Sequence, residues 1–369
     1  MNLFFGLSQE SSLLLMLSKL YLYLRAFISS PIMKYSVIVP VYNRPDEVKE
    51  LLESLASQRF GDFEVIIVED GSKVPCDEVV SSFSDDLSIR YFTKENSGPG
   101  QTRNYGAKRA TGEFLIILDS DVIVPAGYFE AVESELKKAD TDAFGGPDRA
   151  HEGFTPVQKA INYSMTSFFT TGGIRGGKVK MDKFYPRSFN MGVRRDVYET
   201  LGGFSAMRFG EDIDFSIRIF KGGYRCRLFP DAWVYHKRRT DFRKFFKQVH
   251  NSGIARINLY KKYPESLKLV HLLPAAFTLG VAALVVLSFF SAWFLLPIGI
   301  YALLIFADSF SKSILHEEPF KVSLKTACLS IVASFIQLVG YGTGFLRAWW
   351  ERCVLGRGEV EAFKKNFYK

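Results

Sequence analysis

Residues Glu113 to Asp121 read E-F-L-I-I-L-D-S-D. Phe114 to Leu118 is a short, wholly apolar run between the turn residues Thr111-Gly112 and Val124-Pro125-Ala126-Gly127. That pattern predicts a strand buried on both faces of a parallel sheet. Two acids one residue apart, Asp119 and Asp121, follow at its carboxyl end. Open α/β sheets bind ligands at that edge, and hard divalent cations take oxygen ligands. Taken alone, the pair fits solvated loop positions capping the next element equally well. The neighbouring segments decide between the two.

Working outward, Tyr35 to Val39 (Y-S-V-I-V) predicts a strand. Pro45, Asp46 and Glu47 then open a helix, with Pro pre-set for the first turn and acids facing the positive end of the dipole. Val48, Leu51, Leu52 and Leu55 follow at helical spacing. Phe63 to Val68 predicts a second buried strand, running into Glu69-Asp70-Gly71-Ser72, and Ile89 to Phe92 a third. Gly98-Pro99-Gly100 leads into a helix over Gln101 to Ala110 that stops at Gly112. Further on, Asp212 to Phe220 reads as a helix, and Arg225 to Phe229 and Ala232 to Tyr235 as closing strands. Residues 145 to 190, with Gly172-Gly173 and Gly176-Gly177, predict a mobile loop region beside the site. Strands alternating with helices place the chain in the α/β class, with a mostly parallel, doubly wound sheet.

The 369-residue chain is long enough for one large domain plus extra elements. Its net charge of +8 suits nucleic acid or an anionic membrane surface. Cysteines 76, 226, 328 and 353 show no metal or disulfide spacing and read as reduced, cytoplasmic thiols. The mostly apolar stretch Ser12 to Ile32, carrying Lys19 and Arg25, reads as a surface helix, a poor signal sequence or an extension upstream of a natural start at Met33. Leu269 to Phe290 and Trp293 to Ala307 are apolar runs of spanning or near-spanning length, and Leu324 to Trp350 is a weaker third. Lys261, Lys262 and Lys268 before the first run put the large domain on the cytoplasmic side. A third true span would send the basic tail (Arg347, Arg352, Arg357, Lys364, Lys365) outside, against the same rule. The expected count is therefore two or three, the third run being re-entrant or interfacial if two span. The division expected is an N-terminal extension at 1–32, a catalytic domain at 33–255, and a membrane region with a basic tail at 256–369.

Pro40-Val41-Tyr42-Asn43, Glu69-Asp70-Gly71-Ser72, Asn96 to Asn104, Asp119-Ser120-Asp121 and Gly210-Glu211-Asp212 all fall at strand ends or helix starts. In a parallel sheet the first four share one edge. V-I-V-P-V-Y-N-R-P, E-D-G-S, N-S-G-P-G-Q-T-R-N-Y-G, L-D-S-D and G-E-D-I-D-F together resemble glycosyltransferase family 2, a GT-A (Rossmann-like) fold, over about residues 34 to 250. The resemblance implies a nucleotide-sugar donor, UDP-sugar favoured, held by Pro40, Tyr42, Asn43, Asp70, Arg103, Asp119 and Ser120. It implies Mg²⁺ or Mn²⁺ on Asp119 and Asp121, bridging the donor diphosphate, with Asp121 favoured for the metal and Asp119 for the ribose. His236, after A-W-V-Y, is a further metal ligand in some relatives; a plain surface histidine is the alternative. Glu211-Asp212 resembles the family's acid pair, with Asp212 as the base that takes the acceptor hydroxyl proton in an inverting transfer. An acidic helix start complementing the dipole is the alternative, and Asp214 would serve it equally well.

Gly98-x-Gly100 is not a dinucleotide fingerprint, since Arg103 stands where Gly is required, and there is no P-loop. Arg238, Arg239, Arg243, Lys244 and Lys247, interleaved with Phe242, Phe245 and Phe246, predict a basic amphipathic segment resting on anionic headgroups, not on nucleic acid. Asn190-Met191-Gly192 resembles an acceptor-side loop. Gln248 is followed by V-H-N-S and not by the family's processive Q-x-x-R-W, which argues for one sugar per encounter. The expectation is an inverting enzyme at the cytoplasmic face of the inner membrane, acting on a lipid-linked or saccharide acceptor in cell-surface polysaccharide synthesis. A polyprenyl-phosphate acceptor and a catalytically silent membrane scaffold are the alternatives.

Overall fold

The computed structural model describes residues 33–151, 153–172, 184–207 and 209–359. The extension at 1–32, Gly173, Gly176-Gly177, and Lys364 and Lys365 of the tail lie outside the described residues. The strands are β1 (Tyr35–Val41), β2 (Phe63–Asp70), β3 (Ile89–Lys94), β4 (Phe114–Leu118), β5 (Val122–Ile123), β6 (Ala143–Gly145), β7 (Asp148–Arg149), β8 (Asn190–Arg194), β9 (Cys226–Leu228) and β10 (Val234–His236). Through the α/β part the helices are α1 (Pro45–Ala56), α2 (Asp77–Ser81), α3 (Pro99–Ala107), α4 (Tyr128–Lys138), α5 (Pro156–Thr166), α6 (Phe168–Thr171), α7 (Arg195–Thr200) and α8 (Glu211–Lys221). The C-terminal part adds α9 (Phe242–Lys262), α10 (Leu273–Leu287), α11 (Leu296–Leu315) and α12 (Phe320–Trp349).

One sheet runs in the order β3-β2-β1-β4-β8-β6-β9. β1 to β4 are parallel, whereas β8 lies antiparallel between β4 and β6. The opening stretch is its centre: Phe114 to Leu118 are all buried, as a strand covered on both faces requires. One apolar layer joins alternate residues such as Val37, Val39 and Ile116 to α1 and α4, while Ile38, Ile66, Leu115 and Ile117 face α3 and α8 on the other side. Gly112 closes the turn before β4, because a Cβ there would lie 2.6 Å from the Ser36 amide nitrogen.

Part of the region 145–190 departs from the mobile loop that its glycines predict; residues 152 and 173–183 lie outside the described residues. The described part holds α5, opened by a capping box in which Thr155 and Gln158 satisfy each other's backbone. The signal stands in the sequence as Thr155-Pro156-Val157-Gln158. Asn190-Met191-Gly192 is likewise not a loop but the buried strand β8. Its glycine is set by packing, since a Cβ on Gly192 would sit 2.1 Å from the Phe144 ring.

The three C-terminal apolar runs form helices long and apolar enough to cross a membrane. The third is one unbroken helix of 30 residues, α12, which packs on α9. Gly340 and Gly344 explain that contact, and Gly342 the one with α10. A Cβ on Gly344 would fall 2.0 Å from the His250 carbonyl oxygen, and one on Gly342 would fall 2.4 Å from that of Pro274 in α10.

Candidate active site

The carboxyl ends of β1, β2 and β4 and the starts of α3 and α8 converge as parallel topology requires. Asp119-Ser120-Asp121 leaves β4 and turns into β5, where Val122 pairs antiparallel with His236 of β10. The Lys237 amide also donates to the Asp121 carbonyl at 3.0 Å. This small second sheet brings an acid and an imidazole far apart in sequence onto one wall.

Asp119, Asp121 and His236 each offer a ligand atom within 4.8 Å of the others. Asp121 Oδ1 is buried without a hydrogen-bond partner, and so is His236 Nδ1. Asp121 Oδ1 faces His236 Nε2 at 3.2 Å. Asp121 Oδ1 and His236 Nε2 stand at ion-pair distance, and with Asp119 they form a set of carboxylate oxygens and one imidazole nitrogen whose chemistry fits a divalent cation. Burial would raise the Asp121 carboxyl, but His236, Arg239 and Arg44 together hold it well below the usual carboxylate range. Arg44 Nη1 stands 3.2 Å and Arg239 Nη1 3.7 Å from its Oδ2. The Phe189 ring stacks on His236 at 4.8 Å and fixes its plane.

Arg103 links this wall to the second acid pair. Its guanidinium is buried, bonding Asp119 Oδ1 at 2.6 Å and Glu211 Oε1 at 3.0 Å over the Phe204 ring. Burial, then Asp212 next to it, pushes the Glu211 carboxyl up to about 7 against the pull of Arg103. Asp212 faces Arg187 Nε at 2.7 Å and accepts from its own helix at the Ile213 amide, 2.8 Å away. Asp214 is set apart: fully buried, it accepts from Arg218 at 3.0 Å and Tyr263 at 2.9 Å and pairs with Lys262, tying α8 to α9. Asp212 keeps a small exposed edge, whereas Asp214 has none.

On the donor-side edge, Asp70 is fully buried and accepts from the Ser97 and Gly98 amides at 2.8 Å each and from Lys94 at 2.6 Å. It organises the loop into α3, leaving only its remaining lone pairs for a base. Asn43 takes a left-handed conformation (φ 54°) and accepts from Lys73 and Val74 amides, so it shapes the E-D-G-S turn. Pro40 lies in β1 opposite Val68, Tyr42 is half-buried beyond the strand, and Ser120 is buried between the two aspartates.

The basic segment divides. Arg243, Lys244, Phe246 and Lys247 are exposed, as a surface segment requires, whereas Arg238 is buried against Asp148 and Asn162, and Arg239 turns to Asp121. The interleaving of Arg and Phe carries no sign of that inward turn, because burial here follows from β10 ending beside Asp121. Arg44, Arg187 and Arg239 line the candidate site without having been assigned to it from the sequence. Arg44 lies inside the quoted V-I-V-P-V-Y-N-R-P, Arg239 was read only as part of the basic segment, and Arg187 has no local signal.

Residues 36–202 match the family model for glycosyl transferase family 2. The chain carries a family 2 glycosyltransferase domain. An uncharacterized glycosyltransferase of Rickettsia felis is 36% identical over 137 residues, 37% of this chain and 22% of the relative. The poly(ribitol-phosphate) β-N-acetylglucosaminyltransferase TarS of Staphylococcus aureus is 42% identical over 93 residues, 24% of this chain and 16% of TarS. The chain thus spans about a fifth of the length of these curated relatives. The mannosyltransferase PcManGT of Pyrobaculum calidifontis, solved with GDP-Man and Mn²⁺, superposes with a TM-score of 0.54 at 19% identity, covering 86% of this chain and 93% of that one. At that identity the likeness carries the fold, which is of the GT-A type. Within the family 2 domain, Asp119 and Asp121 are the two acids of L-D-S-D, at the edge that the family fold leaves open.

Proposed function

We propose that the protein is an inverting, metal-dependent glycosyltransferase that moves one sugar from a nucleotide-sugar, UDP-sugar favoured, to a lipid-linked or saccharide acceptor. Its setting is the cytoplasmic face of the inner membrane, in cell-surface polysaccharide synthesis. Residues 33–255 carry the transfer and 256–369 the membrane association, with α9 shared between them. One observation supports the reading above all: a three-residue cation donor set is joined through the Arg103 bridge to Glu211, next to a separate carboxylate at Asp212.

The roles follow from charge. Asp212 takes the proton of the acceptor hydroxyl as its oxygen attacks the anomeric carbon, and the bond from that carbon to the diphosphate oxygen breaks on the opposite face. Arg187 orients the Asp212 carboxylate until the acceptor arrives. Mg²⁺ or Mn²⁺ held by Asp119, Asp121 and His236 would supply the charge that stabilises the departing diphosphate. Arg44 and Arg239, beside Asp121, stand where they can turn to the same phosphates.

An Asp212→Asn variant tests the assignment. It should bind donor and metal as the wild type does and lose about 10²- to 10⁴-fold in transfer, the usual contribution of a general base. Near-normal turnover would refute it.

A further inference from the structure

We propose that α10 and α11 form a re-entrant hairpin that enters one leaflet of the bilayer and turns back near its mid-plane, so that none of the three apolar helices crosses. The proposal rests on the membrane reading above and gives its topology; the partner is the hydrocarbon of a single leaflet.

The free length of the hairpin decides it. The Phe277 and Tyr301 rings meet at 5.2 Å, and both pack on Phe335 of α12. On one side of this level the two helices are held by the rest of the chain. The Tyr301 hydroxyl donates to the Phe169 carbonyl of α6 at 3.1 Å, Tyr163 of α5 donates to Asp308 at 2.6 Å, and Lys159 pairs with Glu318. Ala275, Ile305 and Ser309, the buried residues of α10 and α11, all lie on this side. Beyond the level neither helix has a buried residue, and Phe289, Phe290 and Trp293 at the tip are more than three-quarters exposed.

From Phe277 to Ser288 the α10 arm measures about 17 Å at 1.5 Å per residue. The α11 arm, from Tyr301 back to Ser291, gives about the same length once 292–295 is counted as a 3₁₀ turn at about 2 Å per residue. Tilt only shortens this reach. A hydrocarbon core of about 30 Å is therefore about 13 Å too thick for the tip to emerge. A crossing hairpin would have to draw α5 and α6 into the lipid by that depth. α5 is tied to charges that resist it: Lys159 pairs with Glu318, and Arg238 donates to Asn162 at 3.0 Å and pairs with Asp148 at 2.5 Å.

The tip has the chemistry of a turn inside lipid. Between Lys268 and Asp308 there is no Asp, Glu, Lys or Arg, the turn S-F-F-S-A-W-F at 288–294 included. The amides of Ser288, Phe289, Phe290, Ser291 and Phe294 all donate to carbonyls of the hairpin itself, and the Ser288 hydroxyl donates to the Val285 carbonyl. Non-helical backbone at membrane depth requires such internal pairing. Lys261 and Lys268 before the hairpin and Lys321 and Lys325 after it are exposed, so both of its ends carry the charges that belong on the cytoplasmic side.

α12 stays on the domain. Ala333 packs with Ile161, Met165, Phe245 and Val249, Gly340 and Gly344 let α9 approach, and Arg352 past its end bonds Asn258 of α9. The basic tail thus remains on the side of the transfer domain, which removes the conflict with the positive-inside rule that a third span creates.

Sealed vesicles of known orientation, carrying the full chain with Cys328→Ser and Cys353→Ser, test this with a membrane-impermeant maleimide. Single variants Glu130→Cys, Phe290→Cys and Arg357→Cys report the domain, the hairpin tip and the tail. Cysteines at 130 and 357 should label from one and the same side. The cysteine at 290 should label above the cysteine background from neither side, and fully after detergent. Labelling of position 290 from the side opposite to 130 would show a crossing hairpin, and labelling from the same side one that never enters the leaflet; either overturns the proposal. So does labelling of 357 from the side opposite to 130. Recovery of the protein in the soluble fraction would instead overturn the membrane reading itself.

Discussion

Replacing Arg103 by Met keeps the length of the side chain and removes its charge. Arg103 is 4% exposed at its side chain and bridges Asp119 and Glu211, whose side chains are 29% and 10% exposed. Removing one partner of a buried pair costs about 3–5 kcal/mol, because the stranded charge is left without compensation. Solvent at Asp119 screens its share, so we expect about 3 kcal/mol, the lower end. For a domain of some 200 residues that is about 6–12 °C in Tm. Thermal unfolding of the detergent-solubilised protein at pH 8, where Glu211 starts ionised, reads it. Adding Glu211→Gln to Arg103→Met removes one stranded charge and should return part of the loss. A shift below about 2 °C, or a double variant no better than the single, would refute the bridge.

Three further outcomes follow from the same contacts. Glu211, raised from 4.5 to about 7, holds a proton when folded that the unfolded chain releases. Its contribution to stability is therefore full below about pH 4.5 and declines as pH rises through about 7. Relative to wild type, Glu211→Gln should be more stable at pH 8 than at pH 5; a pH-independent difference in Tm counts against the burial. Asp214→Asn should lower Tm by several degrees while leaving transfer per folded molecule near normal, the reverse of Asp212→Asn. In α12, Gly344→Ala places a Cβ 2.0 Å from the His250 carbonyl and should lower Tm, whereas Gly280→Ala, with nothing within 4 Å, should not; equal effects would deny the close approach of α9 and α12.

The sheet was legible wherever apolar runs met turn residues: β1, β2 and β4 all start where the residues say, and the acids at their ends share one edge. β8 was not, since Asn190 and Arg194 are polar and Gly192 is silent: the Phe144 ring explains Gly192, the Tyr128 hydroxyl and Ala232 carbonyl explain Asn190, and Asp196 pairs with Arg194. α5 was announced by Thr155 and Gln158 but outweighed by the surrounding glycines. The positions of Asp119, Asp121 and Asp212 were legible because an apolar run and a glycine turn mark the strand end and helix start on which they sit. Arg44, Arg187 and Arg239 could not, because an arginine's direction depends on which carboxylate the fold brings to it. The same holds for the C-terminal helices: hydropathy gave their length, while the ties from α5 and α9 that hold them to the domain appear only in three dimensions.

The most direct test of the whole account is the metal dependence of donor binding, read as thermal stabilisation by a panel of UDP- and GDP-sugars with and without Mn²⁺. Wild type should be stabilised by at least one donor only when Mn²⁺ is present, and Asp121→Asn should lose that gain. Equal stabilisation without the metal, or none from any donor, would contradict the assignment of Asp119, Asp121 and His236 as the donor's metal wall.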